Sequence, residues 1–510
     1  MDPVFSRKQC QAFDQFAIQQ GGLPGVVLME NAGRRATDLL LEHFPSPRCV
    51  VVVVGPGNNG GDGYVLARHL MLRGVLAIVA SVVPAGKRSA DAEIHSNAWH
   101  RCGGATEFVT AGAQLEELLS GATLVVDAMF GTGLSRALQG LFLDAVEVMN
   151  DASVPILALD LPSGLDADTG QALGPVAVEA AVTVTFAFAK PGLFSSEGNR
   201  LCGALEVADI GVPPKLWMLA GLQPVAERLS PVALGALIHR REAPLHKGQA
   251  GRVAVLAGSP GKYGAGWLTA RAALRGGAGV VTLHGIGLGA SSPLPEVMHG
   301  PLPSLDELPA LLETSVAPAT VVAVGPGLGF SDIAKACLHW GLEKQERPVV
   351  LDADALTLLA GSIDRLREAR CPVVLTPHPA EAARLLGVRT SEVEQDRFGA
   401  ARSLSEQAQA TVLLKGVCTL VAAPGRTLVI NSSGAPSLAT AGSGDVLTGL
   451  LASLLCFLPT FEAATCAAWV HGRAGESWQA LPEFAGGMLA HEIADRLPVT
   501  LAEVVREYEP

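Results

Sequence analysis

The nine cysteines include no C-x-x-C pair, and their number is odd. That excludes a disulfide framework and suits a reducing cytosol, so a cytoplasmic protein is expected. No run of about 18 apolar residues escapes polar interruption, so no membrane span is expected. Leu447–Leu458 is apolar but short, and reads as a buried helix. The opening Met1-Asp2-Pro3-Val4-Phe5-Ser6-Arg7 lacks the apolar core of a signal peptide. Basic residues are outnumbered, 37 Lys and Arg against 49 Asp and Glu, for a net charge of -12. Nucleic acid and anionic membrane are thereby set aside as main partners. Phosphate ligands stay open, because glycine loops bind them through backbone amides. Charged residues are only 17% against 49% hydrophobic, which allows a large core and argues against extensive disorder.

At 510 residues the chain is too long for one ordinary domain. Its 57 Gly and 33 Pro suit many short loops between strands and helices. Ser6 can cap a first helix, and Met29–Gly33 falls early in a second. The β-branched run Cys49–Gly55 reads as a strand buried on both faces of a parallel sheet. Further strands are expected at Leu76–Val83, Thr123–Asp127, Pro155–Leu161, Ala181–Phe188 and Leu205–Val207. The pattern breaks down from Gly211 to about Glu242, with Val212-Pro213-Pro214 in the break, and then a second α/β series begins. Its strands are expected at Arg252–Ala257, Gly279–Leu283, Thr320–Val324, Val349–Asp352, Val373–Thr376, Thr411–Lys415, Thr419–Ala422 and Thr427–Ile430. The close spacing of the last three suggests antiparallel pairing. No internal sequence repeat relates the halves. The expected fold is α/β in two domains: residues 1–217 as a doubly wound, Rossmann-like sheet, residues 218–239 as a linker, and 240–505 as a second α/β domain.

Gly55-Pro56-Gly57-Asn58-Asn59-Gly60 matches G-x-G-x-x-G after a strand. A dinucleotide-binding dehydrogenase also needs an acid ending the second strand, and Val79–Pro84 has none. The loop continues Gly61-Asp62-Gly63, and its polarity suits a ligand and a cation held by oxygens. Two more strand ends point to the same sheet edge: Asp127-Ala128-Met129-Phe130-Gly131-Thr132-Gly133-Leu134 and Asp160-Leu161-Pro162-Ser163-Gly164. An Asp leaving a buried strand caps a turn or serves a ligand.

Together GNNGGDG, DAMFGTGL and LDLPSGLDADTG resemble NAD(P)H-hydrate epimerase across roughly the first 215 residues. The resemblance implies that Asn58, Asn59, Gly60, Gly61 and Asp62, with Gly131, Thr132, Gly133, Leu134, Ser135, Arg136 and Ala137, hold the hydrated nucleotide. It implies a K+ ion on Asn59, Asp127 and Ser163, and substrate contact by Asp160, the candidate for proton transfer. Lys190, after the strand, reads as a surface lysine, with a phosphate contact as the alternative.

In the second half, Gly258–Gly266 follows a strand but is no Walker loop. Gly325-Pro326-Gly327-Leu328-Gly329, Asp352-Ala353-Asp354-Ala355-Leu356, Thr376-Pro377-His378-Pro379 and Lys415-Gly416-Val417-Cys418-Thr419 end further strands. His378, between two prolines, is expected to face a cleft. Ala439-Thr440-Ala441-Gly442-Ser443-Gly444-Asp445 then opens a helix. Glycines there let backbone amides converge on an anion, as in phosphoryl transfer, and Asp445 reads either as a helix N-cap or as a base.

This set resembles ADP-dependent NAD(P)H-hydrate dehydratase, of the ribokinase-like superfamily, from about Arg240 to Leu497. Ala380 stands where that family often has glycine. The resemblance implies that Ala265, Gly327, His378 and Asp445 contact the hydrate. It assigns the adenine nucleotide to Lys415, Gly416, Val417, Cys418, Thr419 and Gly444, with Mg2+ bridging phosphates. The two resemblances imply a bifunctional repair of hydrated NADH and NADPH (NADHX, NADPHX). Bacterial members use ADP and eukaryotic ones ATP, and the fusion and domain order favour ADP. A homo-oligomer, a tetramer or larger, is implied by the same families. The rival readings are a ribokinase-like small-molecule kinase with a separate nucleotide-binding domain, a non-catalytic nucleotide sensor and, third, a dehydrogenase.

Overall fold

The computed structural model describes residues 1–84, 86–213, 215–235, 237–238, 246–481 and 487–508. It divides into two compact units, one of Pro3–Ala226 and one of Met1–Asp2 with Glu227–Pro510. Pro214, Ala236, His239 and the first residues of the expected second domain, 240–245, lie outside the described residues. Between Gly211 and Glu242 the described chain carries only short elements: a helix Leu216–Leu219, a strand Ala226–Arg228 and a helix Pro231–Gly235.

The N-terminal unit is built on a seven-stranded sheet. Its spatial order is Thr106–Phe108, Leu76–Ser81, Cys49–Val54, Leu124–Ala128, Ile156–Leu159, Val182–Phe186, Ala204–Ala208, and every pairing is parallel. Val50–Val54 are fully buried, as a β-branched run covered on both faces requires. Cys49–Val54 is flanked by Leu76–Ser81 on one side and by Leu124–Ala128 on the other. The winding reverses there, which opens a crevice at the carboxyl ends of the two strands. Ser6 caps the helix Arg7–Gln19 through a capping box with Gln9. The strand Thr106–Phe108 was not expected: it is three residues long and exposes Glu107 and Phe108, so it carries no hydrophobic alternation.

One expectation is corrected. Asn58–Asp62 are not a loop but the first turns of the helix Asn58–Leu72, which starts after Gly57. Glycine here serves close packing: a β-carbon on Gly60 would lie 2.3 Å from the Gly55 carbonyl, and one on Gly61 2.4 Å from Met29 Sδ. The helix can press on its strand and its neighbour only without those side chains.

In the second unit the strands lie in the order Leu428–Asn431, Thr419–Ala422, Thr411–Leu414, Val373–Leu375, Val349–Leu351, Val321–Val324, Arg252–Leu256, Val280–Ile286, Met298–Leu302. Pairing is parallel from Met298–Leu302 to Thr411–Leu414 and antiparallel beyond, as the short spacing predicts. Here the winding reverses between Arg252–Leu256 and Val321–Val324. Met298–Leu302 escaped sequence reading because Met298 is exposed and the strand runs through Gly300 and Pro301. The buried helix expected over Leu447–Leu458 is Ser443–Leu454, packed with Tyr263–Arg275 and Thr460–Gln479 in one apolar cluster. Among the described residues, no helix is long and apolar enough to cross a membrane.

Candidate active sites

The crevice of the N-terminal unit holds a cavity of about 480 Å³. Asn58, Asn59 and Asp62 line it from the helix after the first central strand, Gly131–Leu134 from the loop after the second, and Asp160 from the third strand end. Gly60 and Gly61 do not line it, since their α-carbons face the packing contacts above. Ser135, Arg136 and Ala137 are exposed beside it rather than in its wall.

Asp160 sits at the centre with a left-handed φ of 63°, rare for a residue with a β-carbon. Its Oδ2 accepts hydrogen bonds from the Thr132 amide at 2.7 Å and the Thr132 hydroxyl at 2.5 Å. Its Oδ1 accepts from Lys190 Nζ at 2.5 Å and from Thr185 Oγ1 at 3.3 Å. Burial works to raise this carboxyl, but Lys190 and the Thr132 donors outweigh it and hold it below the usual carboxylate range. Lys190 is therefore not a surface lysine: it is 2% exposed, tucked under the cavity floor behind Asp160. The sequence misled because an ammonium after a strand is normally solvated, and its partner lies 30 positions away.

Three other carboxyls line the cavity, Asp14, Asp62 and Asp91. Asp62 is buried and raised well above the ordinary value, first by burial and then by Asp160 and Asp14. Asp14, on the first helix, is exposed to solvent. Nothing in the sequence marked Asp14, because the helix Arg7–Gln19 comes from outside the strand-end motifs.

Of the expected K+ ligands, Asp127 and Ser163 meet. Asp127 Oδ2 accepts from the Ser163 amide at 2.7 Å and Oδ1 from Ser163 Oγ at 2.7 Å. Ser163 Oγ in turn accepts from the Phe130 amide at 2.9 Å. Asn59 is buried with both side-chain atoms, Oδ1 and Nδ2, lacking a protein partner. An orphaned amide oxygen, a buried carboxylate and a hydroxyl are donor types that suit a monovalent cation with oxygen ligands. Burial pushes Asp127 up to about 6, against its Ser163 and Met129 donors, so positive charge beside it would be welcome. Among the described residues no group of three or more His, Cys, Asp or Glu side chains is set to hold a metal ion. The donor set here is one carboxylate with amide and hydroxyl oxygens.

In the second unit Asp445 is not the N-cap of its helix. Gly442, with φ 89°, occupies that position, and Asp445 is the third helical residue. The Ser443 amide donates to the Thr440 carbonyl at 3.2 Å, so Gly444 and Asp445 present the amides of the first turn, where anions are favoured. Asp445 is pushed up to about 7 by burial and by the charges of Asp352 and Asp354, with Lys415 pulling the other way. Lys415 Nζ bonds Asp352 Oδ1 at 2.9 Å and lies 3.9 Å from Glu381 Oε2. Asp352 is 1% exposed and also accepts from Thr448 Oγ1 at 2.7 Å. A β-carbon on Gly444 would sit 3.4 Å from Lys415 Nζ, so Lys415 and Gly444, distant in sequence, meet.

Ala265 and Gly327 also meet: a β-carbon on Gly327, whose φ is 60°, would lie 3.1 Å from Ala265 Cβ and 2.8 Å from the Lys262 carbonyl. Asp354 joins that corner to the Asp445 group, accepting from the Gly329 amide at 2.8 Å. His378 is exposed, as expected, and also caps the helix Pro379–Leu386 in a box with Glu381. Cys418 contributes backbone only, because its thiol is buried and pushed up to about 11 by that burial.

Two supports escaped sequence reading. Arg397, 3% exposed, donates to the carbonyls of Lys415, at 3.3 Å, and Val417, pinning a turn with φ of 141° at Gly416 and 51° at Cys418. His471 Nε2 donates to the Ser443 carbonyl at 3.0 Å, and burial lowers its pKa to about 4, so the ring is neutral. Each lies on a helix whose local pattern gives no hint of the loop it holds.

A family model described as NAD(P)H-hydrate dehydratase matches residues 253–499, and one described as YjeF-related protein N-terminus matches residues 25–192. A bifunctional NAD(P)H-hydrate repair enzyme of Moorella thermoacetica is 40% identical over 515 residues, 97% of this chain and 96% of its own. One from Leishmania braziliensis is 36% identical, covering 92% and 88%. Among solved structures, an ADP/ATP-dependent NAD(P)H-hydrate dehydratase from Bacillus subtilis, co-crystallised with ATP and Mg2+, is 29% identical. The match covers 55% of this chain and 98% of that one, with a TM-score of 0.47.

Proposed function

The chain belongs to the family of bifunctional NAD(P)H-hydrate repair enzymes, and from that premise we propose how its two units divide the work. The N-terminal unit epimerises the R and S forms of hydrated NADH and NADPH. The C-terminal unit dehydrates the S form back to the reduced nucleotide, with ADP giving AMP and phosphate. The observation that carries this reading is the coexistence in one chain of two separately built carboxylate sites, one around Asp160 and one around Asp445.

In the C-terminal unit Asp445 takes the proton of the hydroxyl on the reduced ring, and that oxygen accepts a phosphoryl group from the nucleotide. The glycine turn Gly442–Gly444 faces the transferring group, with the Gly444 amide as donor, and Lys415 faces the nucleotide phosphates. The ring nitrogen lone pair then expels phosphate, and loss of a ring proton restores the dihydropyridine. Hydroxide alone leaves poorly, and phosphate leaves well. Lys415–Thr419 and Gly444 hold the nucleotide, while Ala265, Gly327 and His378 hold the hydrate. The carboxylates crowding Asp445 fit a nucleotide that arrives with Mg2+, whose charge offsets that of the phosphates.

In the N-terminal unit Asn58, Asn59, Asp62 and Gly131–Leu134 bind the hydrate, Ser135–Ala137 border its pocket, Gly60 and Gly61 let the helix pack, and Asp160 moves the proton. Asn59, Asp127 and Ser163 hold K+, which when bound supplies fixed positive charge under the cavity. We extend the proposal to ADP as the donor, to a cytoplasmic location, and to a homo-oligomer, a tetramer or larger.

The deciding experiment mixes purified protein with both epimers of NADH hydrate, Mg2+, K+ and either ADP or ATP, and follows NADH absorbance. Full recovery from both epimers with ADP is expected. Recovery of a single epimer would remove the epimerase assignment, and a stable phosphorylated product without NADH would return the kinase reading. Because Asp445 must be ionised to act, its value of about 7 gives dehydration an acid limb: below that pH the rate should fall about tenfold per unit. A flat rate between about pH 5 and 8 would take the base role from Asp445.

Gly131→Ala gives a further test. A β-carbon there would lie 2.4 Å from Asp160 Oδ2, so the carboxylate must move. Epimer exchange should slow by about 10²-fold, since an ångström of misplacement costs that much, while dehydration of the S form is unchanged.

A further inference from the structure

Five carboxyl or ammonium groups line the N-terminal cavity: Asp14, Asp62, Asp91, Asp160 and Lys190. Lys190 is the single cation among them, so its placement decides how four acids share one enclosure. Its backbone is extended, with φ -110° and ψ 146°, and Pro191 follows at the start of a 3-10 turn. That rigid exit sends the side chain inward under the strand Val182–Phe186. The ammonium has three protons and three acceptors: Asp160 Oδ1 at 2.5 Å, Thr185 Oγ1 at 2.8 Å and the Phe186 carbonyl at 3.2 Å. It is saturated by the protein and 2% exposed, so it has no donor left for a phosphate of the substrate.

We propose that Lys190 is the positioning residue of the epimerising site, holding Asp160 in its left-handed conformation as an aimed carboxylate that acts as the base. This rests on the reading of Asp160 given above. Oδ1 is clamped by Lys190 and Thr185 and Oδ2 by the two Thr132 donors, which fixes the carboxylate plane toward the cavity. By contrast, among the described residues no side chain or amide is bonded to the Asp62 carboxyl, and burial together with Asp160 favours its protonated form. Asp14 and Cys10 face the pair from the first helix. Asp14 is exposed to solvent, and burial pushes the Cys10 thiol up to about 12. The Asp160 carboxyl is thus clamped by donors while that of Asp62 is not, the separation that acid and base roles need.

The chemistry balances without redox. The carbon that carries the hydroxyl adjoins the ring nitrogen, whose lone pair expels the hydroxyl once the protonated Asp62 carboxyl gives it a proton, releasing water and leaving an iminium. Water then adds to the opposite face, and its proton passes to Asp160. One proton enters and one leaves, and one C–O bond breaks as another forms. Charge on Asp160 is needed at the second step, and Lys190 keeps it there as pH falls.

The test uses the full chain loaded with K+, following epimer exchange from about pH 5 to 9 in Lys190→Met, Lys190→Arg and Asp160→Asn. Lys190→Met should lower kcat by about 10²-fold near pH 6 and move the acid limb upward by more than about one unit, with KM changed less than about threefold. An unmoved limb, or a raised KM at full kcat as expected of a substrate contact, overturns the proposal. If Lys190→Met fails to fold, Lys190→Arg decides: a limb at the wild-type position supports the positioning role, and a displaced limb overturns it. Asp160→Asn separates the two readings. Wild-type exchange in that variant removes Asp160 itself, whereas its loss beside an unmoved Lys190→Met limb removes only Lys190.

Discussion

Asp445→Asn is expected to abolish dehydration, by about 10²–10⁴-fold, and to leave epimerisation at the wild-type rate. Asparagine keeps the shape and the place in the first helical turn, so Gly444 should still present its amide. What it loses is the proton acceptor. The same variant should be more stable at alkaline pH. The Asp445 carboxyl titrates near 3.8 when unfolded and about 7 when folded, so the native state holds the proton more tightly. Wild-type stability therefore falls as pH rises from about 4 to about 7 and stays lower above that. Removing the charge removes that penalty: Asp445→Asn should melt above wild type at pH 8 and close to it at pH 4. Parallel loss of both activities in a folded variant would undo the two-site description, and equal melting at both pH values would undo the burial argument.

Lys415→Met should be costly in a different way. It leaves the Asp352 carboxylate, 1% exposed, with Thr448 as its remaining hydrogen-bond partner among the described residues. Stranding a buried carboxylate costs about 3–5 kcal/mol, and the Thr448 hydroxyl keeps the loss near the lower end. Denaturant unfolding of the C-terminal unit should report about 3 kcal/mol, with dehydration lost. Adding Asp352→Asn should recover most of the stability and none of the activity. Recovery of both would mean that Lys415 supports the fold alone and touches no phosphate.

Legibility differed between strand ends and supports. Asp127, Asp160, Asp352 and Asp445 stood out because an acid ending a buried apolar run, or opening a helix after glycines, is costly without a purpose. The strands were legible for the same reason: five consecutive buried valines leave little choice. Asn58–Asp62 were misjudged because glycine signals a loop unless one knows that Gly55 and Met29 press against it. Lys190, His471 and Arg397 were illegible as supports because each acts on a backbone or carboxylate 18 to 30 positions away. Long-range pairing is what a one-dimensional pattern does not carry. Thr106–Phe108 and Met298–Leu302 were too short or too interrupted for any period to register.

The neutral ring of His471 has an experimental consequence. Its pKa of about 4 takes it out of the neutral range, and burial with Lys415 also lowers that of His378. The His471 imidazole is thus silent where one would normally suspect it. The Asp445 carboxyl, at about 7, takes up its proton within the neutral range. Nucleotide binding followed calorimetrically in two buffers of different ionisation enthalpy counts the protons exchanged, and Asp445→Asn should lower that count near pH 7.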